Sequence, residues 1–117
     1  MFNERFSHGK KFNINSDGFP FTTLDEVVEE NGNKVIPVCA LFTYKAKYGE
    51  RAVIVSPTLK INLPDHCLND VKEILFDDEL IAAINNGKCG FKPSQYEDKN
   101  GNIRNSGTFI DIWLFLI

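Results

Sequence analysis

The chain has 117 residues, 43% of them hydrophobic and 25% charged, with a formal net charge of −3. That length holds one domain with a real core and is too short for two, and the proportions exclude disordered, collagen-like and fibrous classes. No apolar run approaches the roughly 18 residues of a membrane span, and MFNERFSHGKK lacks the apolar segment of a signal peptide, so a soluble, cytoplasmic protein without membrane association is expected.

In chain order, the alternation in KKFNI (Lys10 to Ile14) predicts a first strand, followed by a turn at Asp17-Gly18. Thr23 and Glu26 have the spacing of a capping box, which predicts a short helix over LDEVVEE that stops at Asn31-Gly32. VIPVCALFTY and RAVIV are rich in β-branched and aromatic residues and flank a polar loop containing Gly49, the pattern of a hairpin. LKINL, between Pro57 and Pro64, reads as a continuation of that strand.

From Asp65 the apolar residues Leu68, Val71, Ile74 and Leu75 recur at helical spacing, as do Leu80, Ile81 and Ile84 after an N-cap at Asp77-Asp78. Asn86-Gly87 ends the second helix with a left-handed cap. CGFKPSQY and TFIDIWLFLI then form a second hairpin, with Asn100-Gly101 supplying the positive φ angles of a tight turn. The string predicts one mainly β domain over residues 1–117 with a helical insertion: a five-stranded OB-fold barrel whose helical segment lies between strands 3 and 4. A two-layer α+β sheet gives the same string.

Charge is segregated along this string. Segment 34–60 carries +4 and segment 61–86 carries −5, while 88–104 is again basic through Lys88, Lys92, Lys99 and Arg104. If the basic segments meet, an acidic protein presents a cationic face. Single-stranded nucleic acid needs cations along its phosphates and flat rings against its bases. The first hairpin offers Lys45, Lys47 and Arg51 with Tyr44, Tyr48 and Phe42; the second offers Lys88, Lys92 and Tyr96, and the last strand adds Trp113. Tyrosines and lysines at hairpin tips are also ordinary solvated surface, and Phe42 and Phe91 suit a core equally well. In the last strand Ile110 and Ile112 face opposite to Phe109 and Trp113, so both faces are apolar; self-association and packing within the chain both account for that.

Catalytic and metal patterns are weaker. Cys39, Cys67 and Cys89 are three widely spaced cysteines, read as reduced thiols. His66 and Cys67 are neighbours that point apart, so no Cys/His dyad or zinc set follows, and a buried Cys67 beside a surface His66 is expected. Asp98, Asn100 and Asn102 alternate as in a calcium loop but lack its glycine and its final glutamate; they read as a turn. Asp77, Asp78 and Glu79 suit a helix N-terminus. Neither an enzyme nor a cofactor is expected.

The run RAVIVSPTLKINLPDHCLNDVKEIL, followed by DDELIAAINNGKCGFKPSQY, resembles small proteins of phages and mobile elements of Gram-positive bacteria, among them the OB-fold single-stranded DNA-binding proteins of lactococcal phages. The likeness runs from about Lys34 onward. It implies a non-enzymatic protein of the host-cell cytoplasm that coats single-stranded DNA, with little sequence preference, in replication or recombination, as a homo-oligomer such as a dimer, alongside replication or recombination proteins. Bacterial proteins of this function end in a flexible acidic tail, whereas this chain ends WLFLI, so recruitment through such a tail is not expected. The alternative is a protein-protein interaction module of a phage or mobile element that uses the apolar last strand and the acidic helices and binds no nucleic acid.

Overall fold

A computed structural model describes residues 12–47 and 49–112. Its elements are β1 (Phe21–Thr23), α1 (Leu24–Asn31), β2 (Ile36–Pro37), β3 (Ala40–Ala46), β4 (Gly49–Val55), β5 (Lys60–Asn62), a 3-10 turn (Asp65–Cys67), α2 (Leu68–Leu75), α3 (Asp78–Asn85), β6 (Cys89–Glu97) and β7 (Ile103–Asp111). The strands form two sheets, one in the order β1-β5-β4-β3 and one in the order β2-β6-β7. All neighbours are antiparallel except β1 and β5. Among the described residues no helix is long and apolar enough to cross a membrane.

The sheets share one bent run of chain. At its corner the Val38 N–H donates to the Cys89 carbonyl of the second sheet, and the next N–H, of Cys39, donates to the Val55 carbonyl of the first. A strand that changes sheets in this way satisfies its backbone on both sides of the corner. The buried interior lies between the sheets and helices: Leu41, Ile54 and Ile61 from the first sheet meet Val71 and Ile74 from α2, Leu24 from α1, and Phe91 from the second sheet.

The local helix signals act as the sequence predicts. The Thr23 hydroxyl accepts from the Glu26 N–H at 3.2 Å, and α1 stops at Gly32, whose N–H donates to the Val28 carbonyl. The Asp77 carboxylate accepts from the N–H groups of Glu79 and Leu80 at 3.0 and 3.3 Å, which caps α3. The helical segment sits where expected, before the final hairpin.

Three expectations are corrected. Phe12 to Ile14 are not a strand: the Asn13 N–H is taken by the Asn85 side chain at 2.8 Å and Phe12 packs on the core; Lys10 and Lys11 lie outside the described residues. LKINL is not an extension of RAVIV but a separate strand, because the Ser56 hydroxyl accepts from the N–H groups of Thr58 and Leu59 and turns the chain back. Asn100 and Gly101 do not both take the positive φ expected of them. Gly101 alone takes a positive φ, 80°, and the connection is organised by Asp98, whose carboxylate accepts from the N–H groups of Asn100 and Asn102.

The chain is thus mostly β, in two sheets with a few helices. Among the described strands no ladder joins β5 to β7; the edge of β5 is taken by β1, and α1 reaches β7 through the Asn105 amide, which donates to Asp25 at 2.7 Å.

Candidate nucleic-acid interface

Period-two alternation divides the first hairpin into an inward and an outward face. Leu41 and Ile54, cross-strand partners, point into the core. The other face therefore carries Phe42 opposite the buried Val53 and, towards the exposed end, Tyr44 opposite Arg51. Phe21, on β1, completes an aromatic cluster there, its ring 6.4 Å from those of Phe42 and Tyr44, with the Lys60 ammonium 5.0 Å from the Phe21 centroid. The Tyr44 hydroxyl donates to Asn62 Oδ1 at 2.9 Å, which fixes the ring's edge.

The second hairpin repeats the arrangement, because its register sets Tyr96 opposite Arg104. Both pairs open onto one cleft of about 650 Å³, with Tyr44 and Arg51 on one wall, Tyr96 and Arg104 on the other, and His66 from the 3-10 turn beside them. The His66 ring stands perpendicular to Tyr96 at 5.6 Å, and its Nε2 lies 2.7 Å from the Ser106 hydroxyl. Two rings are thus held half-exposed, Tyr44 at 38% and Tyr96 at 45%, each beside a guanidinium.

Each guanidinium has its own carboxylate: Arg51 pairs with Asp65, and Arg104 Nε donates to Asp98 at 2.8 Å. The hydrogen bond from Arg104, reinforced by the N–H groups of Asn102 and Asn100, holds the Asp98 carboxyl below its ordinary value of 3.8. Across the first sheet, the Lys72 ammonium at 2.7 Å and the Thr43 hydroxyl hold Glu50 below 4.5. Both carboxyls bind a proton less readily folded than unfolded, so their contribution to stability is complete above these ordinary values and lost as the pH falls through the lowered ones. The melting temperature should therefore fall on acidification below about pH 4.5, and less steeply in Glu50→Gln; an acid limb unchanged by that substitution contradicts the role of the Lys72 pair.

Of the residues the sequence singles out, the structure brings Tyr44, Arg51 and Tyr96 together. Lys45 is separated from them: it stands opposite Glu50 on the other face of the sheet, the side on which Glu50 pairs with Lys72 of α2. Lys47 is exposed in the turn after β3. Lys88 precedes the far end of β6, roughly 25 Å of strand from Tyr96, beside an apolar groove that includes Leu80 and Phe109. Lys92 is exposed but donates to the Asn33 carbonyl at 2.7 Å. Tyr48 and Trp113 lie outside the described residues.

Arg104, His66 and Phe21 are members of the cleft or its aromatic rim that sequence reasoning leaves out of the site. For Arg104 a signal exists in the register counted back from the Asp98 turn. For Phe21 there is none, since β1 is only three residues long. Cys67 is buried, and burial, with Asp70 adding to it, pushes its thiol up to about 11, so it is protonated and a poor nucleophile at neutral pH. Burial likewise pushes Cys89 up to about 11.

Comparison of the chain with protein-family models, with curated proteins and with solved structures finds no match.

Proposed function

We propose that the chain binds single-stranded DNA in the cleft between its two hairpins, stacking bases on Tyr44 and Tyr96 and meeting phosphates with Arg51 and Arg104. The observation that carries this reading is the repeated Tyr–Arg cross-strand pair, contributed by two hairpins distant in sequence and opening on one cleft. A half-exposed ring beside a guanidinium suits one nucleotide: the ring takes the base face and the planar cation takes the phosphate. Phe21, Phe42 and Lys60 extend the wall for further nucleotides.

The strand order supports the reading. Taken through the bent run, β5-β4-β3 continues into β2-β6-β7, with the helices between β5 and β6. We read this as an open OB-fold in which β1 and α1 stand where the barrel would close, and in that fold the face of strands 2 and 3 and the neighbouring loops hold oligonucleotides. The cleft amides are already engaged: Asn62 accepts from Tyr44 and donates to the Thr22 carbonyl, while Asn105 accepts from Gln95 and donates to Asp25. Few groups are left to read base edges, which favours binding with little sequence preference. In this reading the chain coats strands exposed in replication or recombination, as a homo-oligomer.

The test is a fluorescence-anisotropy titration of labelled oligo-dT, about 15 nucleotides long, against the protein over a range of salt concentrations. Two phosphate contacts give a slope of log affinity on log salt of about −1.4. No anisotropy change at low salt contradicts the proposal.

One observation favours a second reading. At the α2–α3 corner Phe76 is 88% exposed and Leu80 44% exposed, beside the acids Asp77, Asp78 and Glu79, a surface suited to a protein partner. Under that reading Phe76→Ser abolishes partner capture and the cleft tyrosines are dispensable.

A further inference from the structure

The two Tyr–Arg pairs differ in how their arginines are held. Asp98 is fixed at the centre of its turn: it accepts from two backbone N–H groups at 2.9 and 3.0 Å as well as from Arg104. Its side chain is only 20% exposed. Asp65 is different. It begins the 3-10 turn after Pro64, its side chain is 74% exposed, and Arg51 is the side-chain partner it holds. One arginine is therefore clamped by the turn and the other is held by a carboxylate in open solvent, which opens readily.

We propose that Asp65 is a tethered competitor for the phosphate site of Arg51, and that it sets the affinity and salt response of the cleft. The inference rests on the nucleic-acid reading above. Asp65 takes one guanidinium N–H of Arg51 and puts a full negative charge where a phosphate must approach. A phosphate entering the cleft displaces that carboxylate or lies against it, and in both cases binding is weaker than the arginine alone would give. Asp65 thus acts through Arg51 as a positioning residue: it keeps the guanidinium at the cleft when the site is empty and gives it up to a strand.

Two effects of removing the carboxylate oppose each other. Loss of an exposed ion pair and of a like charge beside the phosphate tightens binding, by about two- to fivefold for the pair and roughly threefold for the charge. Loss of the ordered arginine weakens it, since the side chain must then be immobilised by the ligand, at a penalty of up to about tenfold when the side chain was fully ordered beforehand. Arg51 is itself 36% exposed in the pair, so its pre-ordering is partial and the tightening dominates.

The experiment is the oligo-dT titration repeated on Asp65→Asn, with Asp78→Asn as a control that makes the same change in net charge on α3, away from the cleft. Asp65→Asn should bind about fivefold tighter than wild type at about 0.05 M salt, with the gain fading towards about 0.5 M as screening removes it. Asp78→Asn should show no such gain, and the gain should vanish in an Arg51→Ala background. Unchanged or weaker binding by Asp65→Asn, a gain equal to that of Asp78→Asn, or a gain that survives Arg51→Ala overturns the inference. A thermal melt confirms that each variant folds, and Asp65→Ser replaces Asp65→Asn if the latter does not. The outcomes separate from those of the parent reading. Wild-type binding that depends on Tyr44 and Tyr96 but ignores Asp65 sinks this inference alone, whereas no wild-type binding at low salt sinks both.

Discussion

Alanine at both Tyr44 and Tyr96 should weaken oligo-dT binding by at least about 100-fold, while each single change weakens it by about tenfold or more. Base stacking on an aromatic ring is worth about 1–3 kcal/mol per base, and every 1.4 kcal/mol is about tenfold in affinity. The two rings belong to different hairpins and share no hydrogen-bond partner among the described residues, so their effects should add. Tyr44→Phe and Tyr96→Phe distinguish the ring from its hydroxyl. Phenylalanine keeps the stacking face, so both should bind nearly as wild type, with Tyr44→Phe losing only the bond to Asn62. Because both rings are more than a third exposed, the double alanine variant should melt within a few degrees of wild type. Tight binding by a folded double variant contradicts the stacking role.

The largest effect on stability is expected at Phe91. Its ring is fully buried, sits in a T-shaped contact 5.1 Å from Phe109, and lies against the backbone of Gly107, where a Cβ would be only 2.4 Å from two ring carbons. The glycine lets the ring lie flat across β7, and the ring in turn joins the second sheet to the core. Phe91→Ala should cost about 3–5 kcal/mol, a large part of the roughly 5–15 kcal/mol that holds a domain of this size together. The melting temperature should fall by more than about 10 °C. The change is felt at the cleft as well, since the hairpin that Phe91 anchors carries Tyr96 and Arg104 at its other end. Phe109→Ala, which removes a partly buried ring, should cost less. A Phe91→Ala protein that melts within a few degrees of wild type contradicts this account of the core.

How much of this could be read in the sequence follows from how local each determinant is. The Thr23 and Asp77 caps are legible because each bonds to N–H groups two or three residues away. The two main hairpins are legible because β-branched and aromatic runs flank their turns. At the tip of the second, the turn of Asp98, Asn100 and Asn102 is legible, but the positive φ expected at Asn100 as well as Gly101 is found at Gly101 alone, because the Asp98 side chain does the organising. β1 is invisible: it pairs in parallel with β5, which lies far along the chain, and three residues carry no periodicity.

The candidate site is legible in part for the same reasons. Tyr44 and Arg51 meet because the register of one hairpin puts them opposite each other, which counting from Gly49 could have given. Grouping Lys45 with them by nearness in sequence ignores that neighbours on a strand face opposite ways. Lys92 shares a strand with Tyr96 but not its cleft, and Lys88 lies just before that strand begins. The convergence of the two hairpins depends on the corner at Val38 and Cys39, where one run of chain passes between sheets, and no local pattern announces it.

The claim that the cleft is a single-strand binding site is tested most directly by mapping backbone amide chemical shifts as unlabelled oligo-dT is added at low salt. The shifts should concentrate at Tyr44, Arg51, His66, Tyr96 and Arg104 and spread to Phe21 and Lys60. Shifts confined to the Phe76–Leu80 corner, or no shifts at saturating oligonucleotide, would contradict it.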